Sequence, residues 1–207
     1  MPQLKLTYFP IAGRAEATRL AFTIGGIEFC DHTVTFQEFA PLKPTLPTGQ
    51  LPVLEVDGAT IAQSAAILRY AGKLAGLYPE DPLEALKVDE IMDTLEDSGA
   101  GLRGTMRLKD EEEKKAKRLQ FVKEDMPVWF GRLTTLCEKY GCGSGYAVGS
   151  SLTIADLAVY ATVHHYTSGF IDYIPTDVVD AYPYIKGIYD KVLANPKVAE
   201  YYAAKKK

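Results

Sequence analysis

Residues 48–70 read TGQLPVLEVDGATIAQSAAILRY, and this stretch decides the fold. Gly49 opens a turn, residues 51–56 carry the β-branched side chains of a strand, and Asp57-Gly58 is a two-residue hairpin signal. Residues 59–62 supply the returning strand. Gln63-Ser64 then precedes Ala65-Ala66-Ile67-Leu68, a run of strong helix formers, which places Ser64 as the N-cap. The order is strand, tight turn, strand, helix.

Two features of this stretch suit a ligand. Pro52 stands at the first position of the strand, where its ring removes a backbone donor. With a cis peptide before it, the N–H and C=O of Val53 are left for an extended peptide to pair with, as an added strand does. With a trans peptide the stretch is an ordinary hairpin, and spacing alone leaves both readings open. The helix start at Ser64 offers unpaired N–H groups and the positive end of a helix dipole to a carboxylate. One site would thus hold an acid-bearing peptide.

Upstream, residues 4–9 alternate apolar and polar side chains until Pro10, a short strand ending at about Tyr8. A loop, Pro10-Ile11-Ala12-Gly13, leads into a helix with Ala17, Leu20, Ala21 and Ile24 on one face, stopped by Gly25-Gly26. Residues 27–35 read as a second strand carrying Cys30, residues 36–42 as a short helix, and Pro41, Pro44 and Pro47 as loop punctuation. This order predicts an α/β thioredoxin-like domain over residues 1–75. The loop that carries the reactive dithiol in thiol oxidoreductases of that fold here carries Tyr8-Phe9-Pro10-Ile11, so dithiol chemistry is not expected.

Residues 76–83, with Gly76, Pro79 and Pro82, predict a linker, and residues 84–207 an all-helical domain. Val88, Ile91, Leu95, Leu102 and Met106 mark one long helix loosened by Gly99 and Gly101; Leu119 to Cys137 marks the next. Thr153-Ile154-Ala155-Asp156 has the capping-box form, in which Asp156 reaches back to the cap residue. His164 and His165 diverge as helical neighbours and read as structural or surface groups. Tyr182-Pro183 and Asn195-Pro196 open two final helices.

The chain has 207 residues, 47% of them hydrophobic, enough for a sizeable core in one domain or two small ones. A net charge of -4 argues against nucleic acid or an anionic membrane as partner. The lysines at 205–207 read as a solvated end. No signal-peptide pattern or membrane-length apolar window is present, so the expected location is the cytoplasm. Cys30, Cys137 and Cys142 form neither a CxxC nor a zinc spacing and read as free thiols.

Gln50-Leu51-Pro52-Val53-Leu54 followed by Gln63-Ser64-x-Ala66-Ile67-x-Arg69-Tyr70 resembles the glutathione-binding core of the glutathione S-transferases. Tyr8-Phe9-Pro10-x-x-Gly13-Arg14-Ala15-Glu16 is similar to the opening of their tyrosine-type members, sigma class above all, which includes prostaglandin D synthases and cephalopod lens crystallins. The resemblance covers nearly the whole chain. It implies that Tyr8 activates the glutathione thiol, with Arg14 as a second, cationic aid. It implies that Gln63 and Ser64 hold the γ-glutamyl end, that Leu51, before the proline corresponding to Pro52, contacts glutathione through its backbone with Gln50 and Val53 beside it, and that Lys43 meets the glycyl end. Phe39 stands where many sigma members carry a tryptophan; having no N–H, it implies affinity lower by about 0.5–1.5 kcal/mol.

The chemistry expected of Tyr8 is simple. A free thiol ionises near about 8.5, so little is thiolate at neutral pH. A phenol O–H donating to the sulfur favours the charged form, and a fall of about two units corresponds to about 2.7 kcal/mol, within reach of such a bond plus a nearby guanidinium.

The resemblance also implies a homodimer in which Asp97 reaches the γ-glutamyl amine across the subunit interface. Asp93, Glu96 and Asp97 share a helix face, as in synthases that bind a divalent cation, but the expectation here is no metal. Phe9, Arg14, Gly101, Gly104 and Met106 are the expected electrophile site. Gly104 lies about where vertebrate prostaglandin synthases place a tryptophan, which favours broad conjugation. The expected function is glutathione transfer, with glutathione as cosubstrate, to small apolar electrophiles in detoxification, with reduction of organic hydroperoxides alongside. The alternatives are a glutathione-dependent isomerase and a noncatalytic carrier or crystallin-like protein.

Overall fold

Changes of hydrophobic period mark the element boundaries in the computed structural model, which describes residues 2–205. Strand β1 (Leu4–Tyr8) leads through one 3-10 turn (Gly13–Ala15) into α1 (Glu16–Gly25), β2 (Cys30–Thr33), α2 (Phe36–Leu42), the hairpin β3 (Val53–Val56) and β4 (Ala59–Ala62), and α3 (Ser64–Ala75). Helices follow: α4 (Pro82–Ser98), α5 (Ala100–Thr105), α6 (Glu111–Gln120), α7 (Met126–Gly141), α8 (Ile154–Thr167), α9 (Pro183–Leu193) and α10 (Pro196–Lys205). The chain thus forms a thioredoxin-like α/β unit and a helical unit. Two units separate by their internal contacts, one made of the residues to Pro79 with those from Asn195 onward, the other of Glu80–Ala194. The final helix therefore groups with the first unit and not, as expected, with the helical one.

In the first unit the sheet order is β2-β1-β3-β4, with β1 parallel to β2 and β3 antiparallel to both its neighbours. Asp57 (φ 48°) and Gly58 (φ 87°) both take the positive φ that a two-residue turn matching strand twist requires. The second strand is shorter than expected. Ile27 donates its N–H to Phe22 O (2.9 Å) and Gly26 to Thr23 O (3.2 Å), so these residues close the end of α1 instead of starting β2. At the other end Thr35 caps α2 in a box with Glu38. Strand β3 likewise begins at Val53, since the Leu51–Pro52 peptide is cis and precedes the ladder. Ser64 is the first residue of α3 and not its cap; Gln63 occupies the cap position, at φ 77°, without a side-chain cap bond.

Helix α1 is buried on more than its apolar stripe: Glu16, Thr18 and Arg19 are enclosed with Ala17, Leu20, Ala21 and Phe22. It crosses α3 where a Cβ on Gly25 would lie 2.5 Å from Ala75 Cβ, so only glycine permits that approach. Helix α10 also packs on it. Lys197 Nζ donates to Ile24 O (2.6 Å) and Tyr202 Oη to Glu16 (2.7 Å). Lys205 is no simple solvated end, lying 4.2 Å over the Tyr201 ring and 3.9 Å from Glu16; Lys206 and Lys207 lie outside the described residues.

In the second unit Asp81 caps α4, accepting from Leu83 and Glu84 N–H. The expected long helix divides at Gly99 into α4 and α5. The next continues from α6 to α7 through a π-helical turn, Phe121–Asp125. Buried Asp156 accepts from Ala147 N–H (2.7 Å), Thr153 N–H (2.8 Å) and the Thr153 hydroxyl (2.9 Å), joining the preceding loop to the start of α8. Burial pushes its carboxyl upward, against the pull of these donors. His164 stacks on Tyr160, a structural role. Among the described residues no helix is long and apolar enough to cross a membrane.

Asp156→Ala strands buried donors, and its expected cost is about 2–4 kcal/mol, on the scale of one or two hydrogen bonds to a charged group. Urea unfolding of the variant beside the wild type checks this.

Candidate active site

The site is built at the end of β1. Tyr8 shares a sheet face with Leu4 and Leu6, since alternate strand residues point the same way, and its ring is buried. Its carbonyl accepts from Val34 N–H (2.9 Å), which fixes the strand end. Its phenol oxygen accepts from Arg14 N–H (3.2 Å), at the 3-10 turn that opens the next helix. A phenol whose oxygen is engaged this way still has its own O–H to donate outward, polarised by the bond it accepts.

Gly13 makes that geometry possible. It sits at φ 45°, and a Cβ there would lie 2.7 Å from the phenol oxygen and 3.0 Å from the ring.

Arg14 has two roles that its spacing did not separate. Its backbone N–H meets Tyr8, while its exposed guanidinium Nε donates to Ser64 Oγ (3.2 Å) at the start of α3. The structure thereby brings Tyr8, Arg14 and Ser64 together. Gln63, next to Ser64, holds φ 77° and ψ 104°, a region costly for a residue with a Cβ and most often kept at ligand sites.

Val53 does not offer a free backbone edge. It lies opposite Thr7 on one side and Ala62 on the other, so an added strand has no place against it. Leu51 stands before the cis bond and outside the ladder; Pro52 is buried beside it, and Gln50 is exposed.

Phe9 packs edge-on to Tyr8 (5.4 Å between centroids), stacks on Phe36 (4.5 Å) and meets Phe39 edge-on (5.3 Å). Phe36 was missed because it reads as the first residue of a short helix; its large exposure, 68%, is a tertiary fact. Lys43 is exposed, and its stem runs by Gly49, 3.6 Å from where a Cβ would stand. Arg19 was missed as well: buried in α1, it donates to carbonyls of the loop after Tyr8. Its i,i+3 spacing from Glu16 was the available signal.

The remaining expected residues belong to the second unit. Asp97 and Asp93 are exposed on α4, while Glu96 pairs with Arg103 at 3.2 Å. Among the described residues no group of three or more acidic, histidine or cysteine side chains is placed to hold a metal ion. Gly101 does not open a cleft: a Cβ there would meet the Phe121 ring at 3.0 Å, so its smallness serves helix packing. Gly104 does face open space. Met106 is exposed, its sulfur accepting from Arg118 Nη2 (3.5 Å).

Comparison with known proteins identifies the family of both units. Residues 4–73 match the family described as glutathione S-transferase, N-terminal domain, and residues 97–205 the glutathione S-transferase, C-terminal domain. Glutathione S-transferase 1 of Ascaris suum is 39% identical over 181 residues, 84% of this chain and 85% of that protein. Hematopoietic prostaglandin D synthase of Gallus gallus is 34% identical over 204 residues, 96% and 94% of the two chains. The solved structure of prostaglandin synthase D of Nilaparvata lugens superposes with a TM-score of 0.88 at 32% identity, covering 98% of each chain.

Two glycines at positive φ separate steric from conformational cost. Gly26→Ala, with nothing within 4 Å of its Cβ, carries only the left-handed penalty of about 1–2 kcal/mol. Gly13→Ala is expected to cost about 1–3 kcal/mol more, because the new methyl displaces the Tyr8 phenol. Denaturant midpoints of the two variants measure the difference.

Proposed function

This chain belongs to the glutathione S-transferase family, and from that premise we propose that Tyr8 holds bound glutathione as its thiolate for attack on small apolar electrophiles. It is a glutathione transferase with glutathione as cosubstrate. In the proposed step the Tyr8 O–H donates to the sulfur, the thiol proton leaves to solvent, and the thiolate forms a C–S bond as the electrophile's leaving group departs with its electron pair. Catalysis comes from lowering the thiol pKa and from positioning.

The observation that carries this reading is the Arg14 N–H bond to the Tyr8 phenol oxygen, made by the same residue whose guanidinium holds Ser64. It supports a phenol oriented to donate to a ligand seated at the start of α3. In that pose Gln63, Ser64 and the helix N-terminus hold the γ-glutamyl carboxylate, and the Leu51 backbone pairs with the cysteinyl residue. Lys43 lies toward the glycyl carboxylate, with Phe39 contributing an apolar contact. Phe9, edge-on to the Tyr8 ring, contacts the electrophile. Asp97 of a second copy reaches the γ-glutamyl amine in a homodimer of sigma-like type, working in the cytoplasm.

A prostaglandin-type isomerase is the second reading, favoured by the names of the Gallus gallus and Nilaparvata lugens proteins. The absence of a large side chain at Gly104 weighs toward conjugation.

The test is the pH dependence of thiolate absorbance of bound glutathione. In the wild type the thiol ionises well below the free value of about 8.5. Tyr8→Phe should restore it toward that value and lower turnover with an activated aryl halide about 8- to 25-fold at neutral pH, the ratio of thiolate fractions for a pKa about one to two units below the free value. An unshifted thiol in both proteins, with glutathione bound, replaces the enzyme with a carrier.

A further inference from the structure

Arg19 is 1% exposed, and its guanidinium bonds to groups in two places. One is a pair of carboxylates: Nε lies 3.0 Å from both oxygens of Asp31, and Nη1 is 3.2 Å from Glu16. The other is the loop that follows Tyr8. Nη1 donates to the carbonyls of Ile11 (2.8 Å) and Ala12 (3.3 Å), Nη2 to that of Phe9 (3.5 Å), and the guanidinium carbon stands 5.8 Å from the Tyr8 ring centroid. Burial opposes the charge, but Asp31 and Glu16 hold the guanidinium firmly protonated.

Glu16 in turn takes its position from α10. Its Oε1 accepts from Tyr202 Oη (2.7 Å), and its Oε2 lies 3.9 Å from Lys205 Nζ. The four charges balance, two carboxylates against two cations. A rigid fork serving three carbonyls needs its carboxylates fixed, and Tyr202 fixes one of them.

We propose that Arg19 is a positioning residue for Tyr8, and that helix α10 keeps it in place through the Tyr202–Glu16 hydrogen bond. The role rests on the reading of Tyr8 as thiol activator. The loop from Phe9 to Ala12 leads directly to Gly13 and Arg14, whose contacts set the phenol, so a displaced guanidinium moves the phenol away from the sulfur. The terminal helix thereby acts on the reaction without touching substrate.

The experiment uses Tyr202→Phe, which keeps the ring and removes one donor, and Arg19→Lys, which keeps the charge and removes the fork. For each, the ionisation of bound glutathione thiol is titrated by thiolate absorbance and kcat and KM are measured with an activated aryl halide, after circular dichroism. Arg19→Lys is expected to raise the bound-thiol pKa and to lower kcat about tenfold with KM for glutathione within about twofold, and Tyr202→Phe to do the same in the same direction by about threefold. A folded Arg19→Lys protein with wild-type thiol ionisation overturns the proposal whatever its melting temperature. If Arg19→Lys does not fold, Tyr202→Phe decides alone: unchanged ionisation overturns the proposal. A wild type whose bound thiol is itself unshifted sinks the thiol-activating reading, and the positioning role goes with it. A wild type whose thiol pKa is lowered, beside variants lowered to the same extent, sinks the positioning role only.

Discussion

The pairing of β1 with β3 is the constraint on which the first unit depends. Leu6 stands opposite Leu54 and Thr7 opposite Val53, both leucines enclosed in the core. Burial of one face fixes this register, because a slip by one residue would turn every β1 side chain to the other face. The same register ends β1 at Tyr8 and begins β3 at Val53, directly after the Leu51–Pro52 peptide. Core packing thus determines where the phenol and the Leu51–Pro52 peptide stand.

On this frame the polar chemistry is placed by junctions between loops and helices. Arg14 spends its N–H on Tyr8 and its guanidinium on Ser64, so the starts of α1 and α3 are tied by one residue. Asp156 does similar work in the second unit, where one carboxylate gathers two N–H groups and a hydroxyl at the start of α8. Arg19 is the inverse case, a buried cation gathering carbonyls. In each, a charge that would be costly alone is compensated by several partners.

The glycines show how far smallness can mean different things. Gly13 admits the Tyr8 phenol, Gly25 admits Ala75, and Gly101 admits the Phe121 ring, while Gly104 borders open space. Only the last behaves as a cleft-forming residue should. Spacing on a helix cannot distinguish these cases, because the neighbour that decides each one lies elsewhere in the chain.

The sequence by itself determined the element order of the first unit, the Asp57-Gly58 hairpin, the helix over residues 36–42, the capping box at Thr153 and Asp156, and the family. These are local signals, carried by turn chemistry, capping residues and motifs within a few positions of one another. The positive φ at Gln63, the double use of Arg14, the loss of Val53 as a free edge, the exposed Phe36, the buried Arg19 and the return of α10 to the first unit were decided by tertiary structure alone. Each depends on which distant group meets a side chain or peptide, and Tyr202 on Glu16, 186 residues apart in the chain, is the plainest instance.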